Sequence, residues 1–397
     1  MNATAILNKV LSNVTHFMHQ SRKKALYDCV QSLLQGNSAT VTAMGRGVQS
    51  KAKEKHNIKR ADRLLSNQSL LSERHRIYEA IIRRFIQPNT RPIILVDWSD
   101  MDEYRRHFLL RAALVFDGRA LTLYEEVHAL GTKEKRATHK RFLQQLQRLL
   151  PTECRPIIVT DAGFKVPWFQ LVLSMGWDFI GRSRKPNYYS LDGLQWRHIT
   201  ELYRQATATP KSMEAYIRQT DPYPCRLVVY RQKPKGRHNL NRFGVPKQSK
   251  ASKVHAQGAN EPWVISTSLP LSHQLARKVV KIYRTRMQIE EAFRDLKSVR
   301  FGQGFEQNKS YLKQRITLLI LLTTIAHWVL LLLGCAVTCA DKHRQYQANT
   351  TRSKRVLSFH FIGLRAVLDK KLKLLHRHWQ HAISLLAEYS QESFYAL

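Results

Sequence analysis

Acidic side chains are scarce in this chain of 397 residues: 29 Asp and Glu stand against 65 Lys and Arg, a formal net charge of +36. The shortage runs along the whole sequence, and between Asp221 and Glu261 no acid occurs at all. This argues against a neutral enzyme with a basic tail. The surface must carry a strong positive field, and a polyanion is the expected partner, nucleic acid ahead of an anionic membrane. Cysteine is sparse too: Cys29, Cys154, Cys225, Cys335 and Cys339 are odd in number, include no CxxC pair and have no matching histidine spacing. That argues against a zinc site or a disulfide framework. The N-terminal MNATAILNKVLSNVTHF is too polar for a signal peptide, so the chain is expected in the reducing cytoplasm.

What is present is enough for a sizeable core, with 43% hydrophobic residues, and long enough for two or three domains. One run, residues 316–337 (ITLLILLTTIAHWVLLLLGCAV), has the length and apolarity of a membrane span. Lys and Arg flank it on both sides without asymmetry, and the reading is one or two buried core helices, with no membrane partner. Residues 1–90 show helical spacing and hold a basic stretch with Lys51, Lys53, Lys55, Lys59 and Arg60, either a phosphate-contacting element or a solvated helix face. PIILVD, HFLLRAALVF and ALTLYEEVHAL read as three antiparallel strands with a DGR turn. A helix over KRATHKRFLQQLQRLLP leads to a strand in PIIVTD, a helix in KVPWFQLVLSM and a strand in WDFIGR. Strands that alternate with helices imply an α/β fold, a mixed sheet with helices on its faces.

From about residue 184 to 262 the pattern fades and Arg231, Lys233, Lys235, Arg237, Arg242, Lys247, Lys250 and Lys253 accumulate, the composition of a loop that orders on DNA or of a plain flexible loop. EPWVISTSLP then reads as a strand, followed by one long helix from about Ser272 to Ser298. The remainder is helical and basic; His376, His378 and His381 there suit a solvated face better than a metal site.

RPIILVD and RPIIVTD are echoes: each is a buried strand that ends on an aspartate, Asp97 and Asp161, placed where sheets carry their sites. A strand-end aspartate is also a common turn or cap residue. Two carboxylates do not close a two-cation site for phosphoryl chemistry, and the long helix offers a third. Tyr283, Arg286, Glu290 and Lys297 follow the spacing i, i+3, i+7, i+14, within about 60° of arc on a continuous helix, beside an apolar seam of Ile282, Ile289, Phe293 and Leu296. The competing reading is a surface helix laced with salt bridges.

VDWSD (96–100), TDAGF (160–164) and Y-x2-R-x3-E-x6-K (283–297), with KAKEKHNIKRADRLL, GFKVPW, EPWV and RMQIEEAFRDLKS in the same order, resemble the DDE transposases of the insertion-sequence-four family over nearly the whole chain. The resemblance implies a ribonuclease-H-like catalytic core at 91–300 with a mostly β insertion at about 184–262, a helical DNA-binding domain at 1–90 and a helical dimerisation region at 301–397. It implies cut-and-paste transposition by way of hairpinned ends. Asp97, Asp161 and Glu290 would be catalytic ligands of two Mg2+ ions, with Mn2+ as a substitute. Tyr283, Arg286 and Lys297 would contact phosphates of double-stranded DNA, at element ends and target, in a homodimer. Trp263 is a candidate for stacking an extruded base, or a core tryptophan, and Met287 a candidate wedge. A metal-dependent nuclease and a non-catalytic DNA-binding regulator are the alternatives.

Overall fold

The computed structural model describes residues 3–12, 15–232, 245–351 and 353–395. Five helices come first: α1 (Ala3–Leu11), α2 (Gln20–Leu34), α3 (Val41–Arg46), α4 (Glu54–Leu65) and α5 (Gln68–Phe85). Their starts follow local chemistry: Thr40 Oγ1 accepts from Ala43 N at 3.1 Å, and Asn67 Oδ1 from Leu70 N at 2.8 Å, each satisfying a first-turn amide that the helix cannot. Three strands follow, β1 (Ile93–Asp100), β2 (His107–Val115) and β3 (Ala120–Ala129), then α6 (Arg136–Leu149), β4 (Ile157–Thr160), α7 (Val166–Ser174) and β5 (Asp178–Ser183). These match the alternation expected from the sequence.

The stretch where regularity faded is more ordered than expected. It holds β6 (Tyr188–Ser190), β7 (Arg197–His198), α8 (Thr200–Gln205), β8 (Lys211–Ile217), β9 (Tyr223–Tyr230) and α9 (Lys250–Asn260). Strand β8 escapes a hydropathy reading because only Ala215 and Ile217 of its seven residues are buried. Lys233, Lys235, Arg237 and Arg242 lie outside the described residues.

After β10 (Trp263–Thr267) the single long helix expected over 272–298 is instead two, α10 (Leu275–Arg284) and α11 (Met287–Lys297). At the break the bonding tightens: Thr285 N reaches Ile282 O and Arg286 N reaches Tyr283 O, three residues back, while Thr285 Oγ1 also donates to Ile282 O. The angular count from Tyr283 to Lys297 therefore does not hold as one stripe. α12 (Lys313–Cys339), α13 (Phe359–Leu368) and α14 (His376–Ser390) complete the chain.

Contacts group the chain into two compact units, one of Met1–Pro156 with Met287–Phe394, the other of Ile157–Arg286 with the last residues. The boundaries cut across the expected division at 90 and 300, for a physical reason. Every residue of α12 from Leu318 to Val337 is buried, so this helix needs cover on all sides, and it draws α1, α2, α4, α5, α13, α14 and β3 around itself. It is long and apolar enough to cross a membrane, yet it packs here as one core helix.

In the first unit the strands run antiparallel in the order β3-β2-β1. In the second they run β4-β5-β10-β9-β8-β6-β7, with β4 and β5 parallel and the rest antiparallel. The fold is mixed α/β. α11 packs on β1 and β3 of its unit; α10 packs on β5, β8 and β9 of the other.

At the centre of the first unit Arg111 and Glu125, 3% and 2% exposed, meet at 2.7 Å as cross-strand partners on β2 and β3. Glu125 also accepts from Tyr78 of α5 at 3.0 Å and from Thr324 of α12, and the Arg111 guanidinium lies 4.9 Å from the Phe293 ring centroid of α11. Arg111→Met alone strands a buried carboxylate and is expected to lower the unfolding free energy in urea by about 3–5 kcal/mol, whereas the double change Arg111→Met with Glu125→Leu loses far less. Equal losses in the two variants would show that the pair is not an isolated charge unit.

Candidate functional site

The eight residues of β1 change character at its middle: Ile93 to Val96 are buried, Asp97 to Asp100 half-buried. Asp97 thus lies inside the strand, which runs three residues further than the sequence reading placed its end. Its Oδ1 accepts from Trp98 N at 2.8 Å. Asp97 is the direct cross-strand partner of Arg111, so their side chains share a face of the sheet. That face receives α11, because Arg111 stacks on Phe293. Glu290 precedes Phe293 by three residues and is exposed, on the same side of α11 as Phe293. The first unit therefore presents Asp97 and Glu290 on one face. Lys297, seven residues on from Glu290, is half-buried near the end of β1; burial pulls its pKa down, with Asp100 and Glu306 working the other way and Arg111 adding to the depression.

The opposite face of β1 is what holds Asp97 in place. Trp98 Nε1 donates to His139 Nε2 of α6 at 3.2 Å, and its ring meets His128 edge-on at 5.3 Å. His128 Nε2 stands 3.0 Å from Glu126 Oε2, which Arg141 also approaches at 3.1 Å, while Tyr124 donates to Glu126 at 2.6 Å. Burial works to raise the Glu126 carboxyl, but His128, Tyr124 and Arg141 outweigh it and hold it at about 2, below its usual 4.5. Burial likewise pushes His139 down to about 4, so at neutral pH its ring accepts the tryptophan proton.

In the second unit Asp161 follows β4 directly and accepts from Gly163 N at 2.8 Å through Oδ1, the turn role that such an aspartate often plays. Burial raises the Tyr283 hydroxyl's pKa; Arg286, which hydrogen-bonds it, and Arg182 oppose this, and Asp161 adds to it. Tyr283 is itself buried, its ring edge-on to half-buried Trp263 at 5.0 Å, and Trp263 leans on Tyr230 at 5.7 Å. Arg184 pairs with Glu261 at 2.6 Å and Arg284 donates to the Tyr230 hydroxyl at 2.5 Å, giving an aromatic cluster set among arginines. Met287, half-buried, opens α11 in the first unit.

Of the N-terminal basic residues, Lys51, Lys53, Lys55 and Lys59 are exposed, but Arg60 is tied to Asp28 of α2 at 2.7 Å. His376 and His381 are exposed, and His378 Nδ1 accepts from Leu375 N at 3.3 Å, a capping role. Sequence reading missed Arg111, Glu125, Trp98, His128, His139 and Arg182. One signal was there: Arg111 is the lone charge inside HFLLRAALVF, and a charge in the middle of an apolar strand needs a buried partner.

Carboxylates on a strand and its covering helix, within a chain this basic, suit work on a polyanion such as nucleic acid. The family model described as the transposase DDE domain matches residues 88–329, more than half of the sequence, and the chain belongs to that family. It is thereby a transposase, a DNA-acting enzyme with a ribonuclease-H-like core, of a family that generally uses divalent metals. No curated protein matches the chain. Such ions take hard oxygen donors of the carboxylate kind, and Asp97 and Asp161 are each oriented by a local backbone amide.

The folded state binds fewer protons than the unfolded chain at Glu126 and at His139, so stability falls on acidification, through His139 between pH 6.5 and about 4 and through Glu126 between 4.5 and about 2. Glu126→Gln should start less stable and lose less between pH 4.5 and 2 in urea titrations; an unchanged slope would remove Glu126 from the network.

Proposed function

We propose that this chain is a cut-and-paste transposase of the insertion-sequence-four group, most like the insertion-sequence-ten transposase of transposon ten. It binds the inverted-repeat ends of its element, cuts the DNA, closes hairpins and joins the 3′ ends to target DNA. The observation that carries this is Asp97 and Glu290 on one face of the first unit, in a chain of the DDE transposase family.

Asp97, Asp161 and Glu290 are the proposed ligands of two Mg2+ ions, with Mn2+ as a substitute. When bound, such ions activate the attacking oxygen and stabilise the leaving one. The protein's own part is to hold the DNA in line for each displacement. Arg286 and Lys297 take phosphate oxygens. Tyr283 is buried under Trp263, which supports a role in orienting Arg286 through their hydrogen bond as well as in touching DNA. A base extruded at the hairpin stacks on Trp263, whose half-exposed ring already stands between two tyrosines, and Met287 wedges the gap it leaves. Residues 1–90 grip the element end, with Lys51, Lys53, Lys55 and Lys59 on phosphates; Arg60 joins them only by leaving Asp28. The catalytic domain spans 91–300, with its insertion at about 184–262, and 301–397 pairs two copies. The protein acts on the nucleoid in the cytoplasm.

Purified protein given a DNA fragment with its own gene's flanks and Mg2+ should make double-strand breaks with hairpinned ends, and none with chelator. Asp97→Ala, Asp161→Ala and Glu290→Ala should each abolish cutting and leave end binding largely intact, since phosphate contacts dominate affinity. Cutting by a variant would remove that residue from the site. Breaks without joining would favour a nuclease, and tight binding without breaks a regulator. Lys297→Ala should reduce the salt slope of binding by about one unit, and an unchanged slope would count against a phosphate contact there.

A further inference from the structure

Three buried polar side chains of the first unit serve none of the chemistry above. Asp295 on α11, His327 on α12 and His360 on α13 bring one carboxylate oxygen and two ring nitrogens within 4.8 Å of one another. His360 is fully enclosed, and neither of its ring nitrogens has a hydrogen-bond partner. His327 Nε2 also lacks one; it stands 3.8 Å from Asp295 Oδ2, beyond hydrogen-bond length. Leaving such groups unsatisfied costs about 1–3 kcal/mol each, and here they converge on one point. Burial holds His360 at about 3, so its ring is uncharged at neutral pH. A neutral imidazole carries one N–H donor and one lone pair, and the lone pair is what a metal ion takes.

We infer that Asp295, His327 and His360 form a buried binding site for a divalent transition-metal ion of the zinc class, which staples α11 to α12 and α13. Two imidazoles and one carboxylate are the borderline donors that zinc prefers, distinct from an all-carboxylate set suited to magnesium. Arg119 Nε donates to Asp295 Oδ2 at 2.6 Å, which orients the carboxylate as the outer partner of a ligand does. The same arginine also reaches Glu291 at 3.7 Å.

The backbone fixes the meeting of the two histidines. A Cβ added to Gly334 would come 1.8 Å from Phe359 O, and one on Gly363 would come 2.1 Å from Leu330 O, so α12 and α13 touch main chain to main chain beside the histidine pair. Their rings lie 4.9 Å apart. Since the site is closed to solvent, the ion is structural. It fixes, to the C-terminal helices, the helix that carries Glu290. The absence of short Cys or His spacing had argued against zinc; these ligands escape that test because each is more than thirty residues from the next.

Full-length protein, purified without a histidine tag and dialysed against excess Mg2+, should retain about one zinc-class ion per chain by plasma mass spectrometry. Stripping by chelator should lower the Tm by roughly 5 °C, and zinc should restore it. Cobalt added to the stripped protein should give visible d–d absorption in the wild type and in Asp97→Ala, but not in His360→Gln. Equal ion content and equal absorption in His360→Gln would overturn the site. Should His360→Gln not fold, the wild type decides: no absorption at one equivalent of cobalt, or no change in Tm on stripping, overturns it as well. Neither readout depends on DNA cleavage.

Discussion

The buried pair of Arg111 and Glu125 is the constraint on which the first unit depends. A guanidinium and a carboxylate removed from water are tolerated only when each finds enough partners. Glu125 finds Arg111, Tyr78 and Thr324, and Arg111 also finds the ring of Phe293. These side chains come from α5, β2, β3, α11 and α12, so a single charge pair fixes how a sheet and three helices meet. Because Arg111 is the cross-strand partner of Asp97, the same pair sets the face on which that carboxylate stands and on which α11 offers Glu290.

Around this centre the unit is arranged in two polar layers of opposite use. On one face of β1 are the carboxylate, Arg111 and the covering helix. On the other, Trp98, His139, His128 and Glu126 form a connected network that holds the strand. The positive charge is handled similarly. Some cations are consumed internally, such as Arg60 on Asp28, Arg119 on Asp295 and Arg184 on Glu261. Others, Lys51, Lys53, Lys55 and Lys59 among them, are left on the surface, where the long-range field of a polyanion partner is felt.

Much of the fold was legible locally. Alternating or continuous apolar runs marked β1 to β5 and β10, and helical spacing marked α2, α5, α6 and α7. The misreadings have physical causes. β8 buries too few side chains to show a pattern. The break between α10 and α11 contains neither Gly nor Pro, only a Thr285 hydroxyl that turns back on Ile282 O, and no periodicity reports such a tightening. The limits of the compact units differ from the domain limits expected near 90 and 300 because α12 is apolar on every side, and what covers it comes from both ends of the chain.

The sequence by itself determined the charge, the order of strands and helices from β1 to β5, the positions of Asp97, Asp161 and Glu290, and the blocks that resemble a transposase family, since all of these are short-range or compositional. Only the tertiary structure decided that Arg111 closes on Glu125, that Tyr283 is buried against Trp263, and that Asp295, His327 and His360 converge. Those meetings join residues far apart along the chain, and they are set by which apolar faces must be covered and which buried charges must be paired, constraints that exist only once the whole core has closed.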